Sequence, residues 1–122
     1  MTTRYEQVYS ADAIAQRLVG DLSRWTYANG AICRAYRTKD WRSTLLAAGA
    51  VAHLAEAAWH HPEMILNYGS LDIRLNTHSA GGVTDKDFEL AAKIEAVIGW
   101  RPAAEGGALE GTPADIGYIH PD

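Results

Sequence analysis

From Leu71 to Thr77 the chain alternates strictly, with Leu71, Ile73, Leu75 and Thr77 on one side and Asp72, Arg74 and Asn76 on the other. A period of two marks a half-buried strand. The stretch 64–68 predicts its partner, with Gly69-Ser70 as the turn. Upstream, Trp25-Thr26-Tyr27 runs into Asn29-Gly30, a dipeptide favoured in tight hairpins. The return strand, 31–37, sets Ile32, Arg34 and Tyr36 opposite Ala31, Cys33 and Ala35.

Three segments carry a helical period instead. Ser10 is the expected cap of a short helix to Leu18, with Ala11, Ile14 and Leu18 on one face and Gly20-Asp21 as its stop. Thr38 is the expected cap of a long helix over 39–59, in which Leu45, Leu46, Gly49, Ala52, His53 and Ala57 give a broad apolar and small-residue surface. His53 on that surface reads as a packed core or interface histidine. Pro62 disfavours helical geometry at His61 and ends this helix. Thr84, followed three residues later by Asp87, resembles a capping box with aspartate in the glutamate's place. It opens a third helix over 85–98 that Gly99 stops.

Helix, hairpin, helix, hairpin, helix predicts an α+β fold: a four-stranded antiparallel sheet with three helices packed on one face, forming a single domain over 1–99. Residues 100–122 are rich in glycine and proline and form a tail. That composition admits disorder, while Trp100, Leu109, Ile116, Tyr118 and Ile119 admit a segment laid on the domain or on a neighbouring subunit.

Composition narrows the partners. The 122 residues are 48% hydrophobic, enough for one core. Scattered charges, 11 basic against 15 acidic, give −4 and no basic stripe, so direct nucleic-acid binding is not expected. Cys33 is the sole cysteine and reads as a small buried residue in a reducing compartment. No signal peptide opens the chain and no apolar run is of membrane-spanning length, so no membrane association and a cytoplasmic location are expected.

The chemistry gathers at WHHPEM, residues 59–64, where two imidazoles meet a helix stop. Glu56, four residues before His60, is placed to reach and orient that imidazole on one helix face. With an ordinary pKa of about 6.5, imidazole is the side chain best suited to proton exchange near neutrality. His61 lies off the helix, and His78 follows the regular strand just before the glycine-rich stretch. Spacing alone leaves open whether these histidines meet. Three of them could hold zinc with an open position, but HExxH and a cysteine pair are both missing. Asp87 is explained by capping alone. His120 has no visible partner.

Glu56-Ala57-Ala58-Trp59-His60-His61-Pro62-Glu63, then Tyr68, Thr77-His78 and residues 80–88 (AGGVTDKDF) resemble the signature of the pterin-4a-carbinolamine dehydratases. Trp25, Gly30, Arg37 and Thr38-Lys39-Asp40-Trp41 also fit, with Trp41 where phenylalanine is usual. The resemblance spans about residues 11–98 and leaves the tail outside. It implies the same fold, assembly as homodimers or homotetramers, and dehydration of 4a-hydroxytetrahydropterin to quinonoid dihydropterin without metal or cofactor. By position, it implies that His60 and His78 are the acid/base pair, that Asp87 completes the catalytic cluster, and that His61, Glu56, Pro62 and Thr77 bind the pterin. Glu56 would also support His60. Gly69-Ser70 departs from the polar residues common after the tyrosine. The family also includes members recruited to protein partners, among them Rubisco assembly factors encoded with carboxysome genes. The apolar-spotted tail suits that alternative, a non-catalytic protein with a Rubisco client and a carboxysome-associated location.

Overall fold

The Ser10 hydroxyl accepts the Ala13 amide and opens α1 (Ala11–Arg17), in a computed structural model whose description covers residues 6–120. A short 3-10 turn, Gly20–Leu22, follows where a stop was expected. Asn29 and Gly30, at φ 51° and 79°, then turn β1 (Thr26–Ala28) into β2 (Ala31–Arg37). Two positive φ values in succession are what a two-residue hairpin requires.

The remaining elements are α2 (Trp41–Ala58), β3 (Glu63–Asn67), β4 (Ser70–Leu75) and α3 (Asp85–Ile98). All pairings are antiparallel and the strand order is β1-β2-β4-β3, so β4 is internal. Leu71, Ile73 and Leu75 are buried with α2 and α3 over the sheet, as the alternation predicted. The architecture is the expected α+β arrangement of three helices and a four-stranded sheet.

Two details of α2 differ from expectation. Asp40, not Thr38, is its cap: the Asp40 carboxylate accepts the Ser43 amide at 2.9 Å and the Ser43 hydroxyl at 2.8 Å. An ionised acceptor two residues on outcompetes the threonine hydroxyl. Thr38 is buried instead, its Oγ1 2.6 Å from that of Thr44. The buried stripe is also rotated from the one expected. Ser43, Thr44, Ala47, Ala48, Val51 and Ala55 face inward, whereas Leu45, Leu46, Gly49, Ala52, His53 and Ala57 are exposed. Small inward residues let α2 lie close to the sheet.

The inward alternation of β2 brings a cation inside. Arg34 is buried and its Nε donates to Glu95 of α3, which also accepts the Trp25 indole N–H at 2.9 Å. The guanidinium lies 4.1 Å from the Tyr36 ring centroid, stacking charge on an aromatic face.

Part of the tail lies on the domain. Lys39 N–H donates to the Tyr118 carbonyl at 3.0 Å and His120 N–H to the Arg37 carbonyl at 2.9 Å, forming a bridge between Thr38 and Ile119. Arg101 adds a second tie, donating to the Ile98, Trp100 and Ile119 carbonyls. Among the described residues, no helix is long and apolar enough to cross a membrane.

Candidate active site

The site begins with how α2 ends. Trp59 adopts the left-handed conformation, φ 53° and ψ 46°. Its N–H then bonds the Glu56 carbonyl at 3.2 Å while His60 N–H reaches back to the Ala55 carbonyl at 3.1 Å. This is the paired closure of a Schellman motif, with tryptophan where glycine is usual. The chain therefore leaves helical register one residue before His60.

That turn reassigns the expected partners. Glu56 does not hold His60: its Oε1 lies 2.8 Å from Nε2 of His61. The His61 ring also packs edge-on against Trp59, centroids 5.0 Å apart, and both members of the Glu56–His61 pair are exposed. His60 instead turns toward α3, where its Nε2 is 2.6 Å from Oδ1 of Asp87. Its side chain keeps 14% exposure while Asp87 is fully buried.

Asp87 both caps α3 and faces His60. Oδ2 accepts the Thr84 amide at 2.9 Å, completing the predicted capping box, and also the Thr77 hydroxyl at 2.9 Å. Thr77 Oγ1 lies 2.7 Å from Thr84 Oγ1, which accepts the Lys86 amide at 3.3 Å. Since Thr77 donates to the carboxylate, the Thr84 hydroxyl donates to Thr77, and every polar atom of the cluster is satisfied. With Asp87 fully engaged as an acceptor, Nε2 of His60 carries the proton and Nδ1 is the free nitrogen. A buried carboxylate behind an imidazole fixes its tautomer and orientation, as in acid/base dyads.

His78 directly follows Thr77, so its backbone stands one residue from this cluster. Its side chain is exposed and, among the described residues, forms no hydrogen bond, leaving both nitrogens free for a ligand. The loop closes behind it, Thr77 N–H donating to the Gly82 carbonyl at 2.8 Å. Pro62 follows His61 and starts the extended run into β3. His53 and His120 are exposed. Among the described residues, no group of three His, Cys, Asp or Glu side chains is arranged to hold a metal ion. The open face of the sheet carries a separate cavity of about 350 Å³, lined by residues including Cys33, Asp72 and Arg74 and by none of the histidines.

The Thr84 hydroxyl is the member of the cluster that sequence reasoning missed. Its signal was available: a threonine that caps a helix and recurs opposite the threonine ending a strand. The Glu56–His61 pairing had no such signal, because it depends on a non-glycine residue turning left-handed.

A histidine bonded to a buried aspartate on an α+β scaffold, with an exposed histidine on the loop that leads into α3, is an arrangement that can exchange protons. The sequence profile of the family described as Pterin 4 alpha carbinolamine dehydratase matches residues 7–97, and the chain belongs to that family. It is 35% identical over 83 residues to a protein of Aquifex aeolicus, a match covering 68% of this chain and 84% of that one. It is 38% identical over 96 residues to one of Chloroflexus aurantiacus, covering 79% and 98%. Both carry the provisional name pterin-4-alpha-carbinolamine dehydratase. Among solved structures, a transcriptional coactivator/pterin dehydratase from Brucella melitensis superposes with a TM-score of 0.68 at 30% identity, over 75% of this chain and 98% of that one.

Proposed function

We propose that this protein dehydrates 4a-hydroxytetrahydropterin to quinonoid dihydropterin by histidine acid/base catalysis, recycling a pterin cofactor. The C–O bond at the 4a carbon breaks, and the hydroxyl leaves as water after taking a proton from one imidazole in its protonated form. The adjacent ring nitrogen gives its proton to the other imidazole, and its electron pair forms the new C=N bond. Two proton carriers on different chain segments meet that requirement near neutrality. His60 presents Nδ1, with Asp87 behind it, and His78 supplies the second imidazole. His61, held by Glu56, and Pro62 shape the pterin contact, while Thr77, expected there too, is buried behind it with its hydroxyl on Asp87. The observation that carries this reading is the 2.6 Å bond between His60 and the buried Asp87.

The test is loss of 4a-hydroxytetrahydropterin, followed spectroscopically with purified protein. Acceleration over buffer is the expected result, and a wild-type rate equal to buffer overturns the proposal. Assembly as a homodimer or homotetramer belongs to the same reading, supported by the exposed Leu45 and Leu46 on α2.

A second reading, a non-catalytic assembly factor with a client such as Rubisco, draws on the exposed Trp100, Leu109 and Ile116 of the tail. It expects no turnover together with a stable complex between this protein and purified Rubisco subunits. Turnover without such a complex removes it.

A further inference from the structure

Among the described residues the His78 side chain forms no hydrogen bond, yet a proton carrier must be held near its productive position, since small misplacements cost large factors in rate. The loop that bears it is internally closed: the Ala80 and Gly81 amides donate to the Thr77 carbonyl at 3.1 and 2.9 Å, and Gly81 takes φ 76°. Those bonds define the shape of the turn. They do not set how the turn sits against α3.

Thr77 anchors the start of the turn to Asp87 and Thr84, and the chain before α1 adds a second tie on the far side of His78. Oε1 of Glu6 accepts the Ser79 hydroxyl at 2.8 Å and the Lys86 ammonium at 2.9 Å. Ser79 follows His78 and Lys86 precedes Asp87, so one carboxylate oxygen ties the segment carrying one proposed catalytic residue to the segment carrying another. The Glu6 side chain is only 17% exposed. Val8 presses on the same loop: a Cβ on Gly82 would stand 2.7 Å from Val8 Cγ1, so glycine is what permits this approach. Tyr9 N–H donates to the Val83 carbonyl at 2.9 Å, and the Tyr9 hydroxyl bonds the Asp85 carboxylate. Arg17 closes the group from α1, donating to the Tyr9 hydroxyl at 2.7 Å with its guanidinium 4.5 Å from the Phe88 ring centroid.

We infer that residues 6–9 are a positioning arm for the His78 loop, and that Glu6 is the positioning residue that sets His78 relative to Asp87 and His60. Glu6 acts through Ser79 and Lys86 and takes no part in the chemistry. The consequence for turnover rests on the dehydratase reading, but the hold on the loop does not.

The test compares Glu6→Ala, Glu6→Gln and Ser79→Ala in the full chain, by amide hydrogen exchange at residues 78–82 and by steady-state kinetics. Glu6→Ala is expected to speed loop exchange while leaving α2 exchange unchanged, and to lower kcat about tenfold with KM within about twofold. Glu6→Gln keeps an oxygen acceptor for Ser79 and recovers most of kcat. Ser79→Ala reproduces the loosened loop with Glu6 intact, which keeps the test available if Glu6→Ala folds poorly. Unchanged loop exchange in both alanine variants overturns the inference, as does a loosened loop with unaltered kcat. A general structural role is the remaining rival; it would speed exchange throughout and show no rescue by glutamine, and that result also overturns the inference. If wild type shows no turnover the dehydratase reading falls, and the arm is then judged on loop exchange alone.

Discussion

His60 and Asp87 meet across the α2–α3 boundary, Nε2 to Oδ1 at 2.6 Å, and the same carboxylate caps α3 through the Thr84 amide. Asp87→Asn separates those duties. The amide oxygen can still face Thr84 and Thr77, but the NH2 group now faces His60 and demands the other tautomer. We expect kcat to fall by roughly 10²- to 10⁴-fold with helical circular dichroism preserved. Activity within twofold of wild type would reduce Asp87 to a cap.

His78→Ala should remove most dehydration while leaving the melting temperature unchanged, because the side chain is exposed and, among the described residues, forms no hydrogen bond. His53→Ala and His120→Ala, both at exposed positions, serve as controls that keep full activity. A His78→Ala enzyme as fast as these controls would exclude it from the chemistry.

The strands and α3 were legible because their patterns are local: strict alternation in β4, an Asn-Gly turn in the first hairpin, Thr84 and Asp87 in one capping box. The partners around α2 were not. Thr38 and Asp40 are both good capping residues by type, and only the backbone path decides between them. The buried stripe was misplaced because Leu45 and Leu46 outrank alanine in hydrophobicity, whereas close packing on the sheet selects Ala47, Ala48, Val51 and Ala55. The Glu56–His60 pairing assumed a helix continuing through Trp59, and one left-handed residue exchanged the two histidines.

Glu95→Ala should be among the most destabilising changes outside the site. It leaves the buried Arg34 guanidinium without its counter-charge and the Trp25 indole without an acceptor. Breaking a buried ion pair on one side costs about 3–5 kcal/mol. Urea denaturation of the variant measures this, and a midpoint close to wild type would mean that Arg34 finds water.

Trp59→Gly should stabilise the fold. The residue holds φ 53° with 76% of its surface exposed, so little burial is lost and left-handed strain of about 1 kcal/mol is relieved. Thermal unfolding monitored alongside Trp59→Ala checks the sign: glycine should exceed both alanine and wild type.

Asp40 gives a pH signature. The Ser43 amide, then the Ser43 hydroxyl, hold its carboxyl below the usual aspartate range. Because the folded value is the lower one, the stabilisation is present above the unfolded pKa of about 3.9 and is lost as pH falls through the folded value. Asp40→Ala should therefore melt below wild type at pH 7, with the gap narrowing in acid. A gap that stays constant from pH 7 down to pH 2 would contradict the cap.

The tail pairs with residues 37–39, just ahead of α2, and Arg101 ties it to the end of α3. His60, His61 and His78 lie at the other end of the same two helices, where α2 stops and α3 starts. Whatever is attached beyond residue 120 therefore pulls on the helix ends remote from the chemistry. For immobilising the protein on a surface or fusing it to a cargo, that is the end to use, since the anchor leaves the imidazoles facing open solvent.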